Sequence, residues 1–169
     1  MVKILETKRL VLRQYELSDA NFIVELVNSP GWIEFIGDRN IRDEESAIDY
    51  LLNGPIKSYD EFGFDLSMVE LKKGTPIGMC GVLKRVSFDH HDLGFALLPQ
   101  FNGYGYAFEI AIATLNYIKA KFKIKTILAI TVPKNNRSIR LLEKLGFTFS
   151  RNVFMSTDNE ELVIFSLNR

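Results

Sequence analysis

The sequence predicts a mixed α/β (α+β) fold, a mostly antiparallel sheet of about six to seven strands with a central parallel pair and about four flanking helices. Three observations predict it. Two β-rich runs, Phe64–Leu71 and Ile77–Val86, are joined by Lys72-Lys73-Gly74-Thr75, a charged, glycine-containing connection that suits a hairpin and hence an antiparallel meander. A strand over Asp92–Leu98, a helix reaching about Lys121 and a β-branched run over Thr126–Val132 follow in strand–helix–strand order, which makes the two strands parallel with a right-handed crossover. The 169 residues are 47% hydrophobic, with no repeat, low-complexity tract or Pro/Gly/Ser linker, so residues 1–169 read as a single domain able to fill its own core.

Each element follows from local chemistry. Leu10-Val11-Leu12-Arg13 is a short strand. Ser18-Asp19 starts a helix with Phe22, Ile23, Leu26 and Val27 at helical spacing, and Asn28-Ser29-Pro30-Gly31 stops it. After an irregular stretch, Asp43 caps a second helix whose Glu44 and Glu45 favour the positive end of its dipole, and Gly54-Pro55 ends or kinks it. The strand ending at Pro99 leads into the long helix, where apolar residues lie both on the stripe Phe108, Ala111, Ile112, Leu115, Ile118 and off it, so the helix is central and largely buried. Asn135 caps a further helix that runs through Leu145 and closes at Gly146, and two last strands cover Phe147–Asn152 and Glu161–Leu167.

Composition excludes several functions. Lys and Arg total 21 against 21 Asp and Glu, leaving no net charge to attract a nucleic acid or an anionic membrane. Unbroken apolar stretches are a few residues long where a spanning helix needs about 20. The N-terminal residues place charges where a signal peptide is apolar, and the single Cys80 has no partner for a disulfide, so a reducing cytoplasm is the expected address. Cys80 itself sits inside a strand as a small buried hydrophobe.

Gln100-Phe101-Asn102-Gly103-Tyr104-Gly105 carries the strongest chemical signal. A strand running through a glycine turn into a helix aims unpaired N–H groups and the positive dipole end at one place, which suits a phosphate. The dinucleotide fingerprint fails because Phe108 stands where the third glycine belongs, and no Gly-Lys-Ser/Thr triplet exists for a P-loop.

Three blocks together carry a resemblance. Leu93 to Glu109, with the glycine turn, resembles the acetyl-CoA pyrophosphate loop of the GNAT superfamily of N-acetyltransferases. Val132 to Phe147, with Asn135, Ser138 and Lys144-Leu145-Gly146-Phe147, is similar to its second cofactor block. Glu6-Thr7-Lys8-Arg9-Leu10-Val11-Leu12-Arg13 resembles the N-terminus of the branch containing ribosomal-protein alanine acetyltransferases. The superfamily's Q/R-x-x-G-x-G/A signature fits Gln100-x-x-Gly103-x-Gly105 or Asn102-x-x-Gly105-x-Ala107; the second is preferred because it puts Ala107 in the first helical turn and Glu109 where the branch has an acid.

The resemblance implies acetyl transfer from acetyl-CoA directly to a primary amine, a protein N-terminus or a small molecule, by a monomer or homodimer without a metal. A non-catalytic acyl-CoA-binding module on the same fold is the alternative, because Leu142 replaces the tyrosine that protonates the departing thiolate in many members. The implied cofactor contacts are Phe95 and Leu97, through backbone N–H groups of a strand splayed from its neighbour, then Asn102, Gly103, Tyr104, Gly105, Tyr106, Ala107, Asn135 and Ser138. Ser138 is the expected thiolate acid, with a purely structural role at the helix start equally open. Asp92 is the expected general base, ahead of Glu34 and Glu70. The aromatic and charged mixture of Trp32, Glu34, Phe35, Asp38 and Arg39 suggests an acceptor floor, with Tyr59, Phe62 and Phe64 as an opposite wall. His90 and His91 point to opposite faces of an extended chain and do not share a metal; one of them is a further candidate proton acceptor.

Overall fold

The computed structural model describes residues 1–154 and 160–168. Its strands are β1 (Lys3–Glu6), β2 (Leu10–Arg13), β3 (Ser67–Leu71), β4 (Pro76–Leu83), β5 (His91–Leu97), β6 (Thr126–Thr131), β7 (Thr148–Phe154) and β8 (Glu161–Asn168). Its helices are α1 (Ala20–Val27), α2 (Pro30–Phe35), α3 (Glu44–Leu51), α4 (Lys57–Phe62), α5 (Tyr106–Phe122) and α6 (Asn136–Lys144). The strands form one sheet in the order β1-β2-β3-β4-β5-β6-β8-β7, and every pairing is antiparallel except β5 with β6. This is the mixed α/β sheet with a central parallel pair that the strand–helix–strand order predicts. No helix among the described residues is long and apolar enough to cross a membrane.

Strand alternation divides the sheet's side chains between two cores. Leu10, Leu12, Cys80, Val82, Leu93, Ile127 and Ala129 pack under Ile110, Ala111, Leu115 and Ile118 of α5. Met68, Met79 and Leu98 pack on the other face with Ile23, Leu26, Ala47 and Leu51 of α1 and α3. Buried beside that second core, Arg13 donates to Asp19 at 2.7 and 2.8 Å and to Glu70 at 2.8 Å. Hydrogen bonding to Asp19 outweighs the cost of burial and holds the Arg13 guanidinium charged. The cluster ties the turn before α1 to β2 and β3. Asp19 therefore spends its carboxylate on Arg13 and on the Glu16 N–H instead of capping α1.

Three elements exceed the sequence expectation. β1 is a four-residue edge strand rich in charge. Pro30 occupies the first turn of α2, where its missing N–H costs nothing, so the apparent stop signal begins a new helix in the stretch expected to be irregular. The expected kink falls at Gly54, whose φ of −107° and ψ of −108° leave the helical region, and α4 resumes beyond it with Tyr59 buried and bonded to the Leu66 carbonyl.

Gly81 lies on β4 where the chain before β3 crosses closely: a Cβ there would stand 2.2 Å from the Asp65 carbonyl oxygen. Because the obstacle is backbone, Gly81→Ala is expected to cost about 1–3 kcal/mol or more. Gly31→Ala, which would meet open space in α2, should be neutral or slightly stabilising. Equilibrium urea denaturation of both variants checks this, and a Gly81→Ala protein as stable as wild type would refute the close approach.

Candidate active site

β5 and β6 pair only over His91–Ile127, Asp92–Leu128 and Leu93–Ala129. Beyond Leu93, β5 stays on β4 as far as Leu97 opposite Gly78, and β6 stays on β8 as far as Thr131 opposite Val163. The sheet thus opens between its two central strands. Leu98 N–H donates to Ile77 O at 2.9 Å, on the β4 side. Backbone groups alternate sides along a strand, so the N–H groups of Phe95 and Leu97 face the opening, without a β6 partner.

The glycine turn lies at the end of β5. Gly103 and Gly105 adopt φ of +87° and +80°, a left-handed conformation that favours glycine. Gly105 caps α5 and its carbonyl accepts the first helical bond from Glu109 N–H, leaving the N–H groups of Tyr106, Ala107 and Phe108 without intrahelical partners. Ala107 falls in the first turn, as the second alignment of the signature requires. A Cβ at Gly103 would meet nothing, so this face is open to a ligand. Asn102 is half-buried in the turn, while Tyr104 is exposed and its ring stacks on Tyr106 with centroids 5.8 Å apart. A diphosphate fits this donor set: backbone N–H groups at the positive end of a 17-residue helix.

Across the opening, Asn135 Oδ1 accepts from Ser138 N–H at 3.1 Å, so Asn135 is the N-cap of α6 as expected. The Ser138 hydroxyl makes no hydrogen bond among the described residues, and the half-buried side chain sits in the first turn of α6, the helix that follows β6. Leu142 is 1% exposed within the α5-side core and carries no acid.

Asp92 occupies the middle rung of the short β5–β6 pairing and is 1% exposed. Arg85 Nη2 lies 3.1 Å from its Oδ2, but neither carboxylate oxygen receives a well-formed hydrogen bond among the described residues. Burial pushes its pKa up to about 6 against the opposing pull of Arg85, and Asp65 adds to the rise. Glu70 is locked into the Arg13 cluster, which removes it as a free base, and Glu34 is exposed on α2. His91 is half-buried with its ring 5.3 Å from Phe64, and burial holds its pKa below the usual value.

The acceptor segment needs correction. Trp32 is 6% exposed and packs into the α1–α3 core, so it forms no open floor. Phe35 is half-buried with Lys134 Nζ 5.9 Å from its ring centroid, which brings α2 beside the loop carrying Asn135. Asp38 pairs with Arg42 at 2.5 Å, not with its neighbour Arg39, and both Asp38 and Arg39 are exposed. Tyr59 and Phe64 are core residues, Phe64 lying 4.9 Å from Phe122, so they build no acceptor wall. Sequence reasoning missed Arg9 and Thr7, which reach Glu109 across 100 and 102 positions, and Arg85 beside Asp92. Neither arginine carries a local signal, since Arg9 follows Lys8 just before β2 and Arg85 follows Lys84 just after β4.

Residues 9–148 match the family profile described as Acetyltransferase (GNAT) domain. The chain belongs to the GNAT acetyltransferase family. It is 24% identical over 140 residues, covering 83% of this chain and 79% of the relative, to the uncharacterized N-acetyltransferase YnaD of Bacillus subtilis. An acetyltransferase of Agrobacterium tumefaciens superposes with a TM-score of 0.84 at 24% identity, covering 100% of this chain and 95% of that one. A ribosomal-protein-S5-alanine acetyltransferase of Vibrio fischeri superposes with a TM-score of 0.81 at 18% identity, covering 99% and 97%. Acetyl-CoA is the co-substrate general to this GNAT family, and the opening between β5 and β6 lies between two of the blocks that predicted it.

The raised Asp92 pKa has a defined sign. Below about pH 4 the carboxyl is neutral whether folded or unfolded. Between about 4 and 6 the unfolded chain releases the proton that the folded chain retains, so this group's contribution to stability falls as pH rises and levels off above 6. Asp92→Asn should therefore gain stability over wild type between pH 4 and 6 and hold that gain to pH 8, measured by urea titration at each pH. A flat difference would refute the buried ionisation.

Proposed function

We propose that this protein transfers the acetyl group of acetyl-CoA directly to a primary amine, a protein N-terminus or a small molecule. The observation that carries the reading is the parting of β5 and β6 at Leu93–Ala129, with two backbone donors facing the opening and a glycine turn at its end. The turn, Asn102 to Ala107, holds the diphosphate, and Asn135 and Ser138 border the thioester end of the same opening. Bound acetyl-CoA supplies an acyl carbon activated by its sulfur.

The chain's own groups do the rest. Phe95 and Leu97 N–H groups receive the carbonyl oxygen and the amide-bearing arm, so charge gathering on that oxygen meets fixed dipoles. Asp92, with a pKa of about 6, is ionised at neutral pH and takes the ammonium proton that must leave before nitrogen can attack, through a water because its oxygens are enclosed. The Ser138 hydroxyl gives its proton to the departing sulfur and regains one from the attacking nitrogen, which sheds it as the amide forms. It is available for this because Asn135 already performs the capping that would otherwise occupy a hydroxyl in that turn. Phe35, Glu34, Asp38 and Arg39 border the acceptor's entry; with Asp38 paired to Arg42, the Glu34 carboxylate is the one that favours a cationic amine.

Acceptor-dependent release of CoA tests the reading, with N-terminal peptides, polyamines and simple amines as the panel. The second reading, an acyl-CoA-binding module, rests on the apolar Leu142, and predicts CoA binding with no acceptor-dependent release. Ser138→Ala is expected to lower kcat toward the about 10²–10⁴-fold range of a lost general acid while leaving CoA affinity and the melting temperature nearly unchanged. A stable variant with full turnover would remove Ser138 from the mechanism.

A further inference from the structure

We infer that Arg9 is a positioning residue that locks the peptide between Tyr104 and Gly105, so that the Gly105 N–H is presented to the cofactor's phosphates. This rests on the reading that the glycine turn holds CoA. The contacts are specific. Arg9 Nη1 donates to the Tyr104 carbonyl oxygen at 3.0 Å, Arg9 Nε donates to Glu109 Oε2 at 2.6 Å, and Arg9 N–H donates to Glu109 Oε1 at 2.9 Å. Thr7 Oγ1 donates to the same Oε1 at 2.7 Å. The guanidinium carbon lies 4.5 Å from the Tyr106 ring centroid, and Nη2 would be 3.6 Å from a Cβ on Gly105.

A trans peptide carries its C=O and N–H in opposite directions, so holding the Tyr104 oxygen on Arg9 sends the Gly105 N–H away from Arg9. That N–H finds no acceptor among the described residues. Glycines with positive φ flank the Tyr104 position, and glycine's freedom makes a flip of this peptide cheap unless something holds it. Arg9 is held in turn. The Glu109 carboxylate fixes it by accepting from both the Arg9 backbone N–H and the Arg9 Nε, and Glu109 stands one turn into α5. Although partial burial works against it, hydrogen bonds from Thr7 and Arg9 keep the Glu109 carboxyl below its ordinary pKa, so the anion that anchors Arg9 persists.

Glu109 also gives the inference a test of opposite sign to simple electrostatics. A carboxylate near a phosphate site repels the ligand, so if charge alone mattered, Glu109→Gln would tighten CoA binding. If Glu109 acts by holding Arg9, Glu109→Gln weakens it. Calorimetric titration with CoA is expected to show Arg9→Gln weaker by about tenfold or more, the scale of one charge-assisted hydrogen bond. Glu109→Gln should be weaker in the same direction, and the double variant no weaker than Arg9→Gln. Arg9→Lys keeps the charge but cannot bond Glu109 and the Tyr104 carbonyl together, and should fall between wild type and Arg9→Gln. Melting temperatures report folding, and if Arg9→Gln fails to fold, Glu109→Gln and Arg9→Lys decide. Tighter binding by Glu109→Gln, wild-type binding by Arg9→Lys, or multiplied losses in the double variant would each overturn the positioning role. Wild-type protein that binds no CoA would overturn the functional reading itself.

Discussion

Two parallel strands that pair for three rungs and then separate impose the constraint on which this architecture rests. A sheet ordinarily satisfies its backbone by continuing, and every unpaired buried N–H or C=O costs free energy. Here β5 and β6 keep their outer partners, β4 and β8, while their inner edges diverge. The opening is therefore held from outside. The antiparallel halves are complete in themselves, and the long α5 and the shorter α1 and α3 brace opposite faces. The N–H groups of Phe95 and Leu97 that lose a neighbour face this gap, at whose end α5 begins.

The polar clusters sit where they stabilise this geometry. Arg13, Asp19 and Glu70 join β2, β3 and the entry to α1 beside the α1–α3 core. Breaking one partner of such a buried set leaves an uncompensated charge, which is costly. Asp92 differs from them. Its carboxyl is enclosed as fully as theirs, but its arginine partner comes from the loop between β4 and β5 and leaves both oxygens poorly matched. The Arg13 cluster is saturated with donors, whereas burial raises the pKa of this carboxyl to about 6.

Much of this was legible along the chain. Alternation, turn glycines and the strand–helix–strand order carried the sheet, its parallel pair and the long buried helix. The cap on Asn135 and the start of α5 after Gly105 follow from local preferences alone. The misses have physical causes. β1 and α2 are too short for periodicity to speak, and Pro30 opens a helix as readily as it closes one. Trp32 belongs to the core because α2 is a helix that turns its indole inward, a fact its aromatic and charged neighbours conceal. Arg9 and Glu109 each stand in a block that attracts notice, but their meeting is set by the docking of β2 against α5 and leaves no local trace. The splay of β5 follows from the resemblance, whereas backbone vacancies have no side-chain signature.

Cys80 has a kinetic consequence. It faces Phe95 across the β4–β5 ladder, close to the opening, yet it is fully enclosed, its sulfur lies 3.6 Å from Thr114 Oγ1 and burial pushes its pKa up to about 12. A thiol in that state offers no thiolate to an incoming acyl group. The sequence contains no other cysteine, so an acetyl group has no sulfur on the protein to rest on between donor and acceptor. The direct transfer proposed above needs both substrates on the protein together, and for that route initial-rate plots take the intersecting form of a ternary complex in place of the parallel lines of a double displacement.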